Sequence, residues 1–174
     1  MNYKETEEIE NIIIKEIKQE NDIRGYKFKN CAENIITEKN EITNCIFESC
    51  KCLESKFINI YFTNVIFKDC DFSNSDFSES NLEYSNLSNS NIKDTIFKEN
   101  NLSLSSFGEC KLKNVKFNEC ELYRTQMFRT NLRGIDVSTC NIDGIVVDKE
   151  DLKGIIVNQF QAVELSKLLG IIVK

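Results

Sequence analysis

The chain has 174 residues, carries 28 acidic against 22 basic side chains for a net charge of −6, and contains no histidine. Without histidine there is no histidine-based triad or general base, and the acidic excess argues against a general nucleic-acid-binding surface and for solubility or a basic partner. No apolar run approaches the length that spans a membrane, and the six glycines are too scattered for a phosphate-binding loop.

Residues 1–21 begin too polar for a signal peptide, which sets the expectation of a cytoplasmic protein. Over residues 3–20 the spacing of Ile9, Ile12, Ile13 and Ile17, ringed by Glu7, Glu8, Glu10, Lys15, Glu16 and Lys18, predicts an amphipathic capping helix. In residues 22–41 Ile23 and Phe28 are five apart but lie outside the frame that follows, so an irregular first coil or loop is expected there.

The main body is residues 40–159, where every fifth residue from Ile42 to Val157 is apolar. A period of five is neither the 3.6 of a helix nor the 2.0 of a strand; it requires a chain that turns a corner in every block, which is a solenoid. Two residues before each apolar centre a small residue recurs, as at Cys45, Cys50, Cys70, Ser75, Cys110, Cys120, Thr130 and Cys140. Residues two apart on an extended segment share a side, so large and small residues together fill a narrow interior. Asn or Asp often precedes the centre, and Asn or Gly recurs two after it; both positions are expected to serve corners with positive φ.

Residues 160–174 lose this period. Phe160, Val163, Leu165, Leu168 and Leu169 predict a helix, Gly170 ends it, and Ile171, Ile172 and Val173 predict a short strand-like tail. A solenoid exposes unpaired backbone at both ends, so the two terminal helices are expected to be caps. A β-helix end that showed Leu168, Ile171, Ile172 and Val173 to water would invite pairing with a second copy, and a two-fold contact there would close.

Blocks such as Cys70-Asp71-Phe72-Ser73-Asn74 and Ser85-Asn86-Leu87-Ser88-Asn89 resemble the pentapeptide-repeat family. The resemblance implies an all-β solenoid, a right-handed quadrilateral β-helix with four pentapeptides per coil. About six coils over 40–159, at a strand spacing of about 4.8 Å, would make a rod on the order of 29 Å long. The segments Leu132-Arg133-Gly134-Ile135-Asp136 and Asp151-Leu152-Lys153-Gly154-Ile155, with the ending Gln161 to Ile171, are similar to the quinolone-resistance members of that family. That likeness implies a homodimer joined through the C-terminus. It also implies a rod that imitates duplex DNA, binds a type II topoisomerase (DNA gyrase or topoisomerase IV), and gives quinolone tolerance. Two features depart from the pattern: the register runs from Ile42 to Val157 without an inserted loop, and the N-terminal segment is an addition.

Four blocks per coil bring side chains twenty residues apart into columns. Phe57, Phe77, Phe97 and Phe117 form one, read as core. Glu79, Glu99 and Glu119 form an acidic column, with Glu83 and Glu121 around the same corner, and Lys93, Lys113, Arg133 and Lys153 form a basic one. Like charges at that spacing repel, so the columns are either a solvated surface or a complement to a partner. Phe128 and Arg129, near Tyr123, Arg124 and Arg133, form a further candidate contact patch or an ordinary surface. The inward cysteines read as reduced, buried thiols, with Cys50 above Cys70 and Cys120 above Cys140; no zinc pattern accompanies them. The sequence thus predicts a non-enzymatic binding protein with no catalytic residue, cofactor or metal, and with no nucleic-acid or membrane contact. An interaction scaffold with another protein partner is the alternative.

Overall fold

Each five-residue block is a short extended segment followed by a corner, and the residue two after the apolar centre makes the corner. The computed structural model describes residues 7–10, 23–24, 26–30, 36–38 and 41–173. In it the corner residue is left-handed, from 50° at Asp94 to 62° at Asn89 and wider at Gly134, Gly144 and Gly154. Asn and Gly suit that conformation, but Glu79, Tyr84, Leu104 and Arg124 adopt it too. A left-handed residue costs about 1–2 kcal/mol without glycine, so the coil register imposes the corner over local preference. The Asn or Asp before the centre has a different role from the one expected. It is not left-handed; Asn81 and Asn141 accept the N–H of Glu83 and of Asp143, two residues on, both at 3.0 Å, and Asp71 and Asp76 accept the hydroxyl of Ser73 and of Ser78 instead.

The coils stack as four parallel sheets, one per side. The first face runs from Ile23–Arg24 through Glu41–Thr43 and Tyr61–Thr63, then by single bridges through Asn81, Asn101, Glu121 and Asn141. The second joins Glu7–Glu10, Tyr26–Lys29, Ile46–Glu48 and Ile66–Lys68 and continues through Asn86, Ser106, Gln126 and Val146. The third holds Asp71–Ser73, Asn91–Lys93 and Lys111–Lys113. The fourth runs through Ile36–Glu38, Lys56–Ile58, Asp76–Ser78, Ile96–Lys98 and Lys116–Asn118.

The expected columns are the core. Phe57, Phe77, Phe97 and Phe117 stack in succession at 4.6, 4.8 and 5.1 Å, and Phe57, Phe62, Phe67, Phe72 and Phe77 meet edge to face around the coil. The small inward residues do more than fill space. Many donate to the carbonyl of an apolar centre one coil earlier: Ser75 to Cys52 at 2.7 Å, Thr130 to Phe107 at 2.7 Å, Cys110 to Leu87 at 3.1 Å. Asn100 takes one of these places, fully buried, donating to the Phe77 carbonyl and accepting from the Ser80 N–H. Most of these buried polar groups are tolerated because they complete this ladder; the Ser85 hydroxyl is buried without a partner.

The N-terminal helix is corrected by the structure for the residues it describes: Glu7–Glu10 is a strand, with Ile9 paired to Phe28. The alternation Glu8-Ile9-Glu10 puts an apolar residue in line with the centres Phe28, Phe47 and Phe67, and that pairing overrides the local helical spacing. The rest of residues 1–21 lies outside the described residues. The shifted frame of residues 22–41 has a simple cause. Phe28 pairs with Phe47 and Ile23 with Ile42, one residue short of the spacing from Thr37 to Phe57, so one residue is dropped between Phe28 and Thr37.

At the other end the helix Gln159–Leu168 closes the rod. Thr139 is the one corner between Asn44 and Gly144 that is not left-handed, as suits a β-branched residue. Its hydroxyl takes the Glu119 N–H at 3.1 Å, which leaves the Ser138 carbonyl to Asn158 Nδ2 at 2.8 Å. Asn158 caps the helix, and Gln161, buried beneath it, donates to the Val137 and Cys140 carbonyls at 2.8 and 2.7 Å. The helix therefore satisfies carbonyls that a further coil would have taken. Gly170, at φ +75°, ends it, while Ile171, Ile172 and Val173 form no strand. No described helix is long and apolar enough to cross a membrane.

Candidate partner-binding surfaces

Side chains beside each apolar centre and at each corner point outward, so the surface is an array at coil spacing. The acidic column lies at the corner between the fourth and first faces. There Glu99, Glu119 and Glu121, with Asn101, Thr139 and Asn141, line a shallow groove of about 470 Å³. One carboxylate oxygen of Glu121 is buried with no hydrogen-bond partner. Glu79 continues the column in the coil before, exposed and left-handed like Glu99 and Glu119. Glu83 is half-buried in a separate groove with Asn64, Asn81 and Tyr84. The structure thus gathers three of the five candidate glutamates, leaves one adjoining, and separates Glu83.

Lys98 was missed by sequence reasoning, although it directly precedes Glu99. Its ammonium lies 3.0 Å from the Glu99 carboxylate. The Glu99 hydrogen bond, then the charges of Glu99, Glu119 and Glu79, hold its pKa above the ordinary lysine value. The corner is acidic but carries one embedded cation.

Phe128 and Arg129 sit on the second face, away from that corner. Phe128 is half-buried because its ring lies flat over Gly108, in the coil before; a Cβ there would come within 2.5–2.9 Å of three ring carbons. Arg129 pairs with Glu109 at 3.3 Å, and its N–H donates to Asp148 at 2.8 Å. Arg124 lies over the Tyr123 ring at 5.2 Å. The aromatic and its arginines therefore have partners within the rod.

The basic column follows the third face. Lys93 pairs with Asp94 at 3.5 Å. Among the described residues no ion pair engages Lys111, Lys113, Lys116, Arg133 or Lys153. Lys113, Lys116 and Arg133 line a cleft of about 450 Å³ with Asn114 and Asn118. At the C-terminal end Leu168, Ile171, Ile172 and Val173 are all exposed, with Phe160 and Leu169, and Ile172 is the most open at 84%. The seven described cysteines are buried; Cys31 lies outside the described residues. Among the described residues no cluster of three ligating side chains fits a metal ion.

Compared by sequence, the chain matches no curated protein. The family model described as pentapeptide repeats matches it in eight copies, over residues 55–94 and 105–144. Among solved structures, two trypsin-treated variants of QnrB1, a plasmid-mediated fluoroquinolone resistance protein, share its fold. One superposes with a TM-score of 0.53 at 15% identity, covering 97% of this chain and 99% of that one. The other gives 0.52 at 14% identity, covering 88% and 90%. The matched blocks, the twenty-residue ladder and the shared solenoid make this chain a pentapeptide-repeat protein.

Proposed function

We propose that the protein is a non-enzymatic, cytoplasmic binding rod whose acidic corner docks into a basic groove of a protein partner. DNA gyrase or topoisomerase IV is the partner to test first, and quinolone tolerance the phenotype. The observation that carries this reading is the column Glu79, Glu99 and Glu119, continued by Glu121, held outward at coil spacing on a rigid frame. Carboxylates fixed at regular intervals present a charge pattern that a DNA-binding groove would accept. The fold shared with a fluoroquinolone resistance protein directs the choice of partner. The exposed apolar residues of the C-terminal tail support a homodimer formed end to end through Leu168, Ile171, Ile172 and Val173.

A second reading, an interaction rod for another protein, is favoured by the third face. A duplex mimic gains nothing from Lys111, Lys113 and Arg133, which no ion pair engages among the described residues, whereas a protein surface of mixed charge would engage both sides. Gyrase supercoiling with and without a fluoroquinolone separates the two. Protection of supercoiling by the added protein supports the first; no effect on gyrase or topoisomerase IV leaves the second.

A further inference from the structure

Cys120 and Cys140 fill the same inward place in successive coils, below Ile60, Ser80 and Asn100. The backbone between them is a tight parallel ladder, with the Asn141 N–H donating to the Cys120 carbonyl at 3.1 Å and the Leu122 N–H to the Asn141 carbonyl at 2.7 Å. Residues so placed have Cα atoms about 4.8 Å apart, inside the window of about 4.4–6.8 Å that a disulfide spans. Each thiol also reaches the carbonyl of a core phenylalanine one coil back, Cys120 to Phe97 at 3.3 Å and Cys140 to Phe117 at 3.4 Å.

Two features distinguish this pair from the stacked Cys50 and Cys70. Cys120 lines the groove at the acidic corner, and Cys140 is the most open of the described cysteines at 7%. The pair also lies in the last regular coils, where Thr139 breaks the corner pattern and Gln161 bonds the Cys140 carbonyl.

We propose that Cys120 and Cys140 are a peroxide-oxidisable pair that closes as a disulfide between adjacent coils. The thiolate of Cys140 attacks one oxygen of a hydroperoxide; the O–O bond breaks, hydroxide (or alkoxide) leaves, and Cys140 becomes a sulfenic acid. The Cys120 sulfur then attacks the Cys140 sulfur, the S–O bond breaks, water leaves with the Cys120 proton, and the S–S bond forms. Two thiols lose two electrons to one peroxide. The environment divides the thiols accordingly. The neighbouring Cys120 thiol pulls Cys140 down to about 7, helped by the Thr139 hydroxyl and opposed by burial and by the Asp136 charge. The Cys140 thiol in turn pushes Cys120 up, while Cys70 is pushed up by Cys50 and Cys110 by burial to about 12. Glu119 and Glu121 add negative charge at the groove, which favours a neutral oxidant. Closure would tie the last coils together beside the helix dock.

The test uses the reduced full-length chain, treated with hydrogen peroxide, alkylated under denaturing conditions and digested without reductant. A Cys120–Cys140 linked peptide should form first, reverse with dithiothreitol, and form faster as pH rises through about 7. In Cys120→Ser the intermediate should persist as a sulfenic acid at Cys140 trapped by dimedone, and Cys140→Ser should show neither species. Both variants should fold, since Ser75, Ser80 and Ser105 already occupy equivalent inward places. Cys50–Cys70 linking first, or a folded protein whose Cys120 and Cys140 stay alkylatable after peroxide, would overturn the proposal.

Discussion

Replacing Phe97 by Ala tests the packing directly. The ring is fully buried, stacked on Phe77 at 4.8 Å and Phe117 at 5.1 Å, and meets Phe107 edge-on at 5.6 Å. A Phe→Ala change in a core costs about 3–5 kcal/mol, and the value depends on how far the surroundings collapse. Collapse is blocked here. The strand Ile96–Lys98 is held in register on both sides, to Asp76–Ser78 and Lys116–Asn118, and Cys120 is bonded to the Phe97 carbonyl. The cost should therefore fall at the upper end, about 4–5 kcal/mol. In urea denaturation followed by circular dichroism, with a slope of about 2 kcal/mol/M, the midpoint should drop by about 2 M with the slope unchanged. Phe97→Leu should cost no more than about 1.5 kcal/mol, since Leu serves as the centre at Leu82, Leu87 and Leu102. A Phe97→Ala cost below about 1.5 kcal/mol would refute the account of a rigid ladder that cannot close over a cavity.

Three further outcomes follow from named contacts. Gly108→Ala should push the Phe128 ring outward and cost about 1 kcal/mol in urea denaturation, with little added cost when Phe128 is already Ala. Glu48 is held below its ordinary value of 4.5 chiefly by its hydrogen bond to Lys68, then by Lys27. Its contribution is therefore present above about pH 4.5 and lost as pH falls through the lower folded value. Glu48→Gln should flatten the melting temperature against pH in that acid range, and added salt should shrink the difference. Deleting residues 170–174 should convert a dimer to a monomer in light scattering; an unchanged dimer would remove the end-to-end contact.

The body of the fold was legible because the signal is repeated. One apolar centre says little, but an unbroken series from Ile42 to Val157 dictates a corner in every block. Terminal features were less legible because each occurs once. The isoleucines near the start have helical spacing, yet the strand at Ile9 pairs with that at Phe28, a tertiary pairing that local pattern does not reveal. The one-residue deletion before Thr37 disguised a coil as a broken frame. At the other end Asn158 and Gln161 carry a visible capping pattern, but their second use, closing the carbonyls of Ser138, Val137 and Cys140, depends on Thr139 leaving the corner conformation. On the surface the glutamate column could be read from spacing, whereas the insertion of Lys98 among the carboxylates and the seat of Phe128 on Gly108 needed coordinates.

The central claim is that the acidic corner is the recognition surface, and one binding measurement addresses it most directly. Purified gyrase is titrated with the wild-type chain, with Glu99→Lys/Glu119→Lys, and with Phe128→Ala, at low and at physiological salt. Both glutamates are exposed at corner positions, so the reversals leave the buried ladder untouched. The account predicts wild-type binding that weakens steeply with salt, loss of binding in the double reversal, and near-normal binding by Phe128→Ala. No wild-type binding at low salt and micromolar concentration, or a double reversal that binds as well as wild type, would contradict it.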